Sequence, residues 1–285
     1  METKIIDGRK LRDSILEKVK AEISSLKFQP VFCDILIGDN SVSAQYVNMK
    51  AKTAEAVGIH FHHANFSEDI STESLVEEIK KLNQLENICG LIVQLPIPKS
   101  LDTKKVLDSV DSKIDVDCLG EKTSEVFYEG ENVPSFPTAL ACMAILDSIN
   151  VDDNPSTSLR TRKIVVIGQG KLVGLPVTYL LNKRGLKVET VIRSTLNKEE
   201  IIKNADVIIS ATGQGKFLQG NMIKQGAIII DAGTSESNGG IVGDVDLESV
   251  TGVAGYVSPV PGGVGPVTVA MLLNNVLTVA KNKYE

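Results

Sequence analysis

Tryptophan is absent from this 285-residue sequence, and aromatic residues make up only 4% of it. The core must therefore be aliphatic, built from Ile, Val, Leu and Ala, which suits parallel strands buried under helices. Histidine is almost as scarce, with three residues, and the four cysteines (Cys33, Cys89, Cys118, Cys142) never fall at metal-ligand spacing. That pattern excludes a His- or Cys-based metal site, so no metal is expected, and the thiols are expected to be reduced in a reducing cytosol. Positive charge is not in excess: the formal net charge is −6. A general nucleic-acid binder needs a basic face, so no nucleic-acid partner is expected, although a small anionic ligand can still sit in a local pocket. No run approaches the roughly 18 consecutive apolar residues of a membrane span. The start, METKIIDGRKLRDSI, is charged and lacks the apolar stretch of a signal peptide. With 42% hydrophobic and 23% charged residues, the chain reads as a soluble, cytoplasmic, two-domain α/β protein.

What is present alternates between helix and strand periods. Leu11, Ile15, Val19 and Ile23 form the stripe of an amphipathic helix over 8–26. Residues 31–37 read as a buried strand, Asn40 or Ser41 as the cap of a helix that stops at Gly58, and 59–65 as a short strand. A helix over 75–85 precedes a strand over 89–95, which the stiff Pro96-Ile97-Pro98 must end. Residues 150–163 are polar and aperiodic, a surface loop ahead of a second sheet. Residues 163–170 read as a strand running into glycines, 172–185 as the helix after it, and 186–192, 205–213 and 226–233 as three further strands. This is the rhythm of a doubly wound nucleotide-binding domain. A terminal helix covers 267–284, after the turn-rich 258–266.

Six groups of residues could carry chemistry. The cluster Gly168-Gln169-Gly170-Lys171-Leu172-Val173-Gly174 lets backbone approach a pyrophosphate at a helix N-terminus, although its spacing is one residue longer than the usual fingerprint. A plain strand-to-helix turn would also use glycines. At the tip of the following strand, Arg193 and Ser194 suit the extra ribose phosphate of NADP, or are a solvated strand end. Tyr46 and Lys50 share one helix face, as a proton-handling pair or as a snorkelling Lys beside a packed Tyr. Gln94, at a strand's carboxyl end, is either a satisfied structural amide or a site residue. Asp117, in Asp115-Val116-Asp117, can cap, face solvent or grip a ligand. The segment 258–268, with three Pro and three Gly, is a rigid turn or a ligand loop before a helix. His60, His62 and His63 read as an exposed edge strand.

Together these residues resemble the bifunctional methylenetetrahydrofolate dehydrogenase/methenyltetrahydrofolate cyclohydrolase family over essentially the whole chain. The likeness rests on Tyr46-Val47-x-x-Lys50 with Glu55 and Gly58-Ile59, on Gly90 to Pro96, on Asp115-Val116-Asp117, on Val173-Gly174-x-Pro176, and on Pro259 to Pro266 followed by Thr268. The resemblance implies two α/β domains with a cleft between them. Residues 1–137 would form a catalytic and folate-binding domain joined by the terminal helix 266–285, and residues 138–265 a Rossmann-like NAD(P)-binding domain. It implies a homodimer serving one-carbon metabolism and purine biosynthesis. It implies Lys50 as general acid/base, Gln94 as its partner, Tyr46 stacking on the folate, and Asp117 on the ring's polar edge. Pro259, Gly262, Gly263 and Val264 would complete the folate site. Gly168, Gln169, Gly170, Val173, Gly174, Arg193, Ser194, Thr212, Gly213 and Thr234 would bind the cofactor. The family's usual Gly-Arg-Ser loop is replaced here by Gly168-Gln169-Gly170, so Arg193 and Lys171 would have to hold the extra phosphate; NADP is expected, with NAD possible. Cys118 stands where Gly is usual, and Asp231-Ala232-Gly233-Thr234-Ser235 replaces an Asp-x-Gly-Ile-Asn segment. The competing readings are a dehydrogenase without the hydrolytic step, or acting on another small acid, and a silent nucleotide-binding protein on the same fold.

Overall fold

A computed structural model describes residues 2–130, 134–149, 159–237 and 240–284. In chain order its strands are β1 (Lys4–Ile5), β2 (Val31–Ile37), β3 (His60–Phe66), β4 (Ile88–Val93), β5 (Ile164–Ile167), β6 (Val188–Val191), β7 (Val207–Ser210), β8 (Ile228–Asp231), β9 (Ser235–Ser237), β10 (Gly240–Val242) and β11 (Tyr256–Ser258). The helices are α1 (Gly8–Ile23), α2 (Ser41–Ala56), α3 (Thr72–Leu82), α4 (Thr103–Leu107), α5 (Glu121–Glu129), α6 (Pro137–Ser148), α7 (Gly174–Lys183), α8 (Lys198–Lys203), α9 (Leu247–Val250) and α10 (Val264–Tyr284). The expected loop over 150–163 lies outside the described residues up to 158; beyond it, Leu159 is buried in a short 3-10 turn.

The chain divides into two compact units, one of residues 14–137 with 269–285 and one of residues 1–13 with 138–268. In the first, β2 lies between β3 and β4 in a three-stranded parallel sheet. The histidine-bearing β3 is thus an edge strand, with His60 and His63 exposed. Asn40 starts α2: its side chain accepts from the N–H groups of Val42 and Ser43 at 3.1 and 2.9 Å, satisfying two of the helix's unpaired donors. Gly58, at φ +90°, ends that helical run, a conformation that favours glycine. Every residue of β4 is buried. A Cβ on its Gly90 would stand 2.7 Å from Val276 Cγ2, so the glycine is what allows α10 to lie this close to the strand. By length and composition α10 could cross a membrane, although Asn274 and Asn275 interrupt its apolar run. Leu273, Val276 and Ala280 are instead buried in the core of this unit.

The second unit is built on a six-stranded sheet in the order β1-β11-β8-β7-β5-β6, with every pairing parallel. The order reverses at β5, which makes the carboxyl end of β5 a topological switch point. Residues 1–13, placed by sequence with the N-terminal domain, fall here instead. Lys4 and Ile5 pair with Tyr256 and Val257, and the Gly8 N–H donates to Gly262 O at 3.0 Å. A two-residue strand whose partner lies some 250 positions away has no local pattern to reveal it.

Candidate active site

Lys50 sits on the buried stripe of α2 formed by Ser43, Val47, Lys50, Ala51 and Ala54, and is only 7% exposed. A lysine so enclosed needs acceptors for its ammonium. Two elements supply them. From the end of β4, Gln94 Oε1 accepts from Lys50 Nζ at 2.7 Å. The same amide donates from Nε2 to Leu95 O at 2.6 Å, which fixes its oxygen toward the lysine. From the middle of β2, Asp34 Oδ2 stands 2.6 Å from Nζ as an ion pair, and Asp34 is fully buried. Of the two open readings of Gln94, the structure shows a satisfied amide, whose oxygen accepts from the Lys50 ammonium. Tyr46, one turn before Lys50, is 45% exposed.

Asp34 was not singled out from the sequence, although an acid inside VFCDILI carried the same signal as a Gln inside an apolar run. Burial pushes its carboxyl above the ordinary carboxylate range, against the pull of Lys50 and of His63. His63 lies opposite it on β3.

The Asp115-Val116-Asp117 segment separates into two roles. Asp115 is buried and caps the entry to α5, its Oδ2 accepting from Gly120 N at 2.8 Å and its Oδ1 from Leu119 N at 3.4 Å. Asp117 is half-buried, and its carboxylate accepts no hydrogen bond among the described residues. Burial, then the nearby Asp115, pushes its pKa up to about 6; Lys50 opposes this and Asp34 adds to it. Asn275 of α10 braces the loop by donating to Val116 O at 2.8 Å and to Ser135 O at 2.6 Å. Cys118 takes up φ +56°, the left-handed region, and its thiol donates to Pro134 O at 2.9 Å. The cluster is therefore a held amine flanked by a polar amide, a buried acid and a free acid, with a ring one helical turn away. It can position a water, move one proton and hold the polar edge of a ring.

In the other unit the remaining expected residues gather at one edge, because they follow the carboxyl ends of parallel strands. Gly168 to Gly174 follow β5, Arg193 and Ser194 follow β6, Thr212 and Gly213 follow β7, Thr234 follows β8, and Pro259 to Val264 follow β11. A Cβ on Gly174 would lie 2.0 Å from Gly168 O and one on Gly168 2.4 Å from Ala211 O, whereas one on Gly170 meets nothing within 4 Å. Two of the glycines thus let the loop fold on itself, and the third leaves backbone open to a ligand. Among the described residues no side chain caps the N-terminus of α7 at Val173; the N–H groups of Val173 and Leu175 turn to Gly170 O at 3.4 and 3.1 Å, and the positive end of the helix points at the same loop. These features fit a dinucleotide's phosphates. Gln169 turns inward, donating to Gly168 O and Thr178 Oγ1, each at 3.0 Å, so it offers a ligand chiefly its backbone. Arg193 and Ser194 stand exposed on a turn closed by Thr195 Oγ1, which accepts from Ile192 N at 2.9 Å. Arg193 has no ion pair among the described residues, and Lys171 is also exposed.

Two buried acids, again not expected, shape this edge. Asp244 accepts from Ser210 Oγ at 2.7 Å and from the N–H groups of Thr212 and Gln214 at 2.6 and 2.9 Å. Asp231 accepts from Gly233 N, Asp244 N and Val245 N at 2.9–3.1 Å. Burial pushes Asp231 up to about 6; the N–H groups of Val245 and Asp244 pull it down, and the Asp244 carboxylate raises it.

The family model for the tetrahydrofolate dehydrogenase/cyclohydrolase catalytic domain matches residues 6–117, and that for its NAD(P)-binding domain matches residues 137–284. The chain is 36% identical over 281 residues to the bifunctional protein FolD of Hydrogenobaculum sp., covering 98% of this chain and 99% of that one. It is similar to the crystal structure of the bifunctional methylenetetrahydrofolate dehydrogenase/cyclohydrolase of Campylobacter jejuni, with a TM-score of 0.90 at 33% identity over 99% of both chains. The enzyme of Trypanosoma brucei, solved with NADP cofactor and an inhibitor, matches with a TM-score of 0.89 at 33% identity, also over 99% of both.

Proposed function

The chain belongs to the tetrahydrofolate dehydrogenase/cyclohydrolase family, and we propose that it carries out both reactions of that name. Methylenetetrahydrofolate is oxidised to methenyltetrahydrofolate, which is then hydrolysed to formyltetrahydrofolate. The observation that carries this reading is the buried Lys50, held by Gln94 at 2.7 Å beside the free carboxylate of Asp117. Hydrolysis of a cationic methenyl group needs a positioned water and a group to take its proton. Lys50 Nζ has three donor positions, of which Gln94 and Asp34 engage two, so the third is left for water or substrate. Tyr46 stacks on the folate from one turn away, and Asp117 binds the polar edge of its ring system. Pro259, Gly262, Gly263 and Val264 are assigned to the same substrate.

The nicotinamide cofactor accepts a hydride when bound. The residues that would hold it are the backbone of Gly168, Gln169 and Gly170, the start of α7 at Val173 and Gly174, and the loops of Thr212, Gly213 and Thr234. Arg193, with Ser194 and Lys171 near it in sequence or strand order, favours NADP, because an exposed guanidinium with no ion pair among the described residues can bind a ribose phosphate. On the family's usual form the chain acts as a cytoplasmic homodimer supplying formyl groups to purine biosynthesis.

The test is to supply methylenetetrahydrofolate with each nicotinamide cofactor and follow reduced cofactor, methenyl and formyl products. Both products are expected, with NADP+ the better oxidant. Turnover with neither cofactor contradicts the reading, and lasting accumulation of the methenyl compound reduces it to a dehydrogenase alone.

A further inference from the structure

Asp34 is a buried carboxylate of unusual poverty. Its Oδ1 receives no hydrogen bond among the described residues, and its Oδ2 has only the Lys50 ammonium beside it. Asp115, equally buried, is served by backbone N–H groups of the α5 entry. A carboxylate without N–H donors in a dry site holds a negative charge poorly and a proton readily. The other contact of Lys50 cannot take a proton, because Gln94 is an amide whose Nε2 is already committed to Leu95 O.

We propose that Asp34 is a positioning residue for hydrolysis, acting through Lys50 as the store for the lysine's proton. This rests on the cyclohydrolase reading given above. In the resting pair one proton is shared, as Lys50 ammonium with Asp34 carboxylate. Its transfer across the 2.6 Å gap to Oδ2 gives an uncharged amine beside an uncharged acid, with no proton leaving the site. The amine lone pair then accepts a proton as water oxygen bonds to the methenyl carbon and the C=N π electrons return to nitrogen. The hydroxyl proton of the adduct passes to the departing ring nitrogen as C=O forms and the ring C–N bond opens to the formyl product, and the extra proton leaves the pair for solvent. One water is consumed and one proton released.

The titratable groups facing the pair are consistent with this. From β3, His63 lies opposite Asp34 and draws its titration downward, while burial, the largest influence, draws it upward. On β2 itself, Cys33 is pushed up to about 12 by burial and then by Asp34, so it stays a thiol. From the loop between α4 and α5, Asp117 and Asp115 are the remaining acids, and Asp117 is open enough to pass a proton outward.

The test uses the full chain and supplied methenyltetrahydrofolate. Asp34→Asn keeps the shape and removes the store. Its hydrolytic kcat is expected to fall about tenfold or more near neutral pH, with KM changed by less than about threefold and the pH profile displaced to higher pH. Asp34→Ser, smaller and equally unable to take the proton, is expected to show the same displacement and serves if the Asn variant does not unfold cooperatively. An unchanged or faster hydrolysis in a folded variant, or a fall in rate with no change in the pH profile, overturns the proposal. Failure of the unaltered chain to hydrolyse the substrate overturns instead the reading on which it rests.

Discussion

Asn275, deep in the last helix, holds the carbonyl of Val116, one residue before Asp117, through Nδ2 at 2.8 Å. The same amide group reaches Ser135 O at 2.6 Å. Asn275→Ala strands the buried carbonyl of Val116 and frees the half-buried one of Ser135. A loss of about 2–4 kcal/mol in unfolding free energy is expected by urea titration. In the variant that folds, KM for the folate substrate is expected to rise more than kcat falls, because what loosens is the loop that carries Asp117. Equal stability and equal KM would show the clamp to be redundant.

Gly170 and Gly174 separate ligand space from self-contact. Gly174→Ala would put a methyl 2.0 Å from Gly168 O and is expected to cost about 2–4 kcal/mol of stability and to abolish cofactor binding. Gly170→Ala meets nothing in the chain. Its melting is expected to change by less than about 1 kcal/mol, while calorimetric affinity for NADP+ drops at least about tenfold. Undiminished affinity in Gly170→Ala would mean that the opening is not where the phosphates lie.

Asp117 links function to a stability deficit. Its pKa is about 6 against an ordinary 3.8, so the folded state binds its proton more tightly than the unfolded one. Stability from this group is complete below the unfolded value and is lost as pH rises through the folded value. Asp117→Asn is therefore expected to raise unfolding free energy by about 2 kcal/mol above neutral pH, with the difference vanishing toward pH 4. Substrate affinity falls in the same variant. Paired urea titrations at the two pH values check the sign.

The parts of this arrangement that could be read in advance are those with a local period or a marked spacing. The strand VFCDILI, the helix capped by Asn40, and the strand that ends in Gly168 each announce themselves within a few residues. So do Lys50 and Gln94, although only the fold places β4 beside α2. Helix α6 gave no such sign: Ala139, Ala141, Cys142, Met143, Ile145 and Leu146 are all buried, so there is no polar face to mark a period. Strand β1 depends on a partner at the far end of the chain. Asp34 and Asp244 were visible as letters, but their importance comes from what three-dimensional packing puts next to them.

Arg193 is the residue proposed to hold the ribose phosphate of NADP. Arg193→Ala is expected to raise KM for NADP+ by about 10- to 100-fold and to leave KM for NAD+ within about twofold, since only NADP carries the phosphate. Equal effects on both cofactors would assign the phosphate to another group, with Lys171 the next to be replaced.

The central claim is that Lys50, held between Gln94 and Asp34, moves the proton of the hydrolytic step. Its most direct test is the hydrolysis of supplied methenyltetrahydrofolate by Lys50→Met compared with the unaltered chain, with substrate binding measured in parallel. The account requires kcat to fall at least about 100-fold while the substrate still binds. Hydrolysis at the unaltered rate would contradict it.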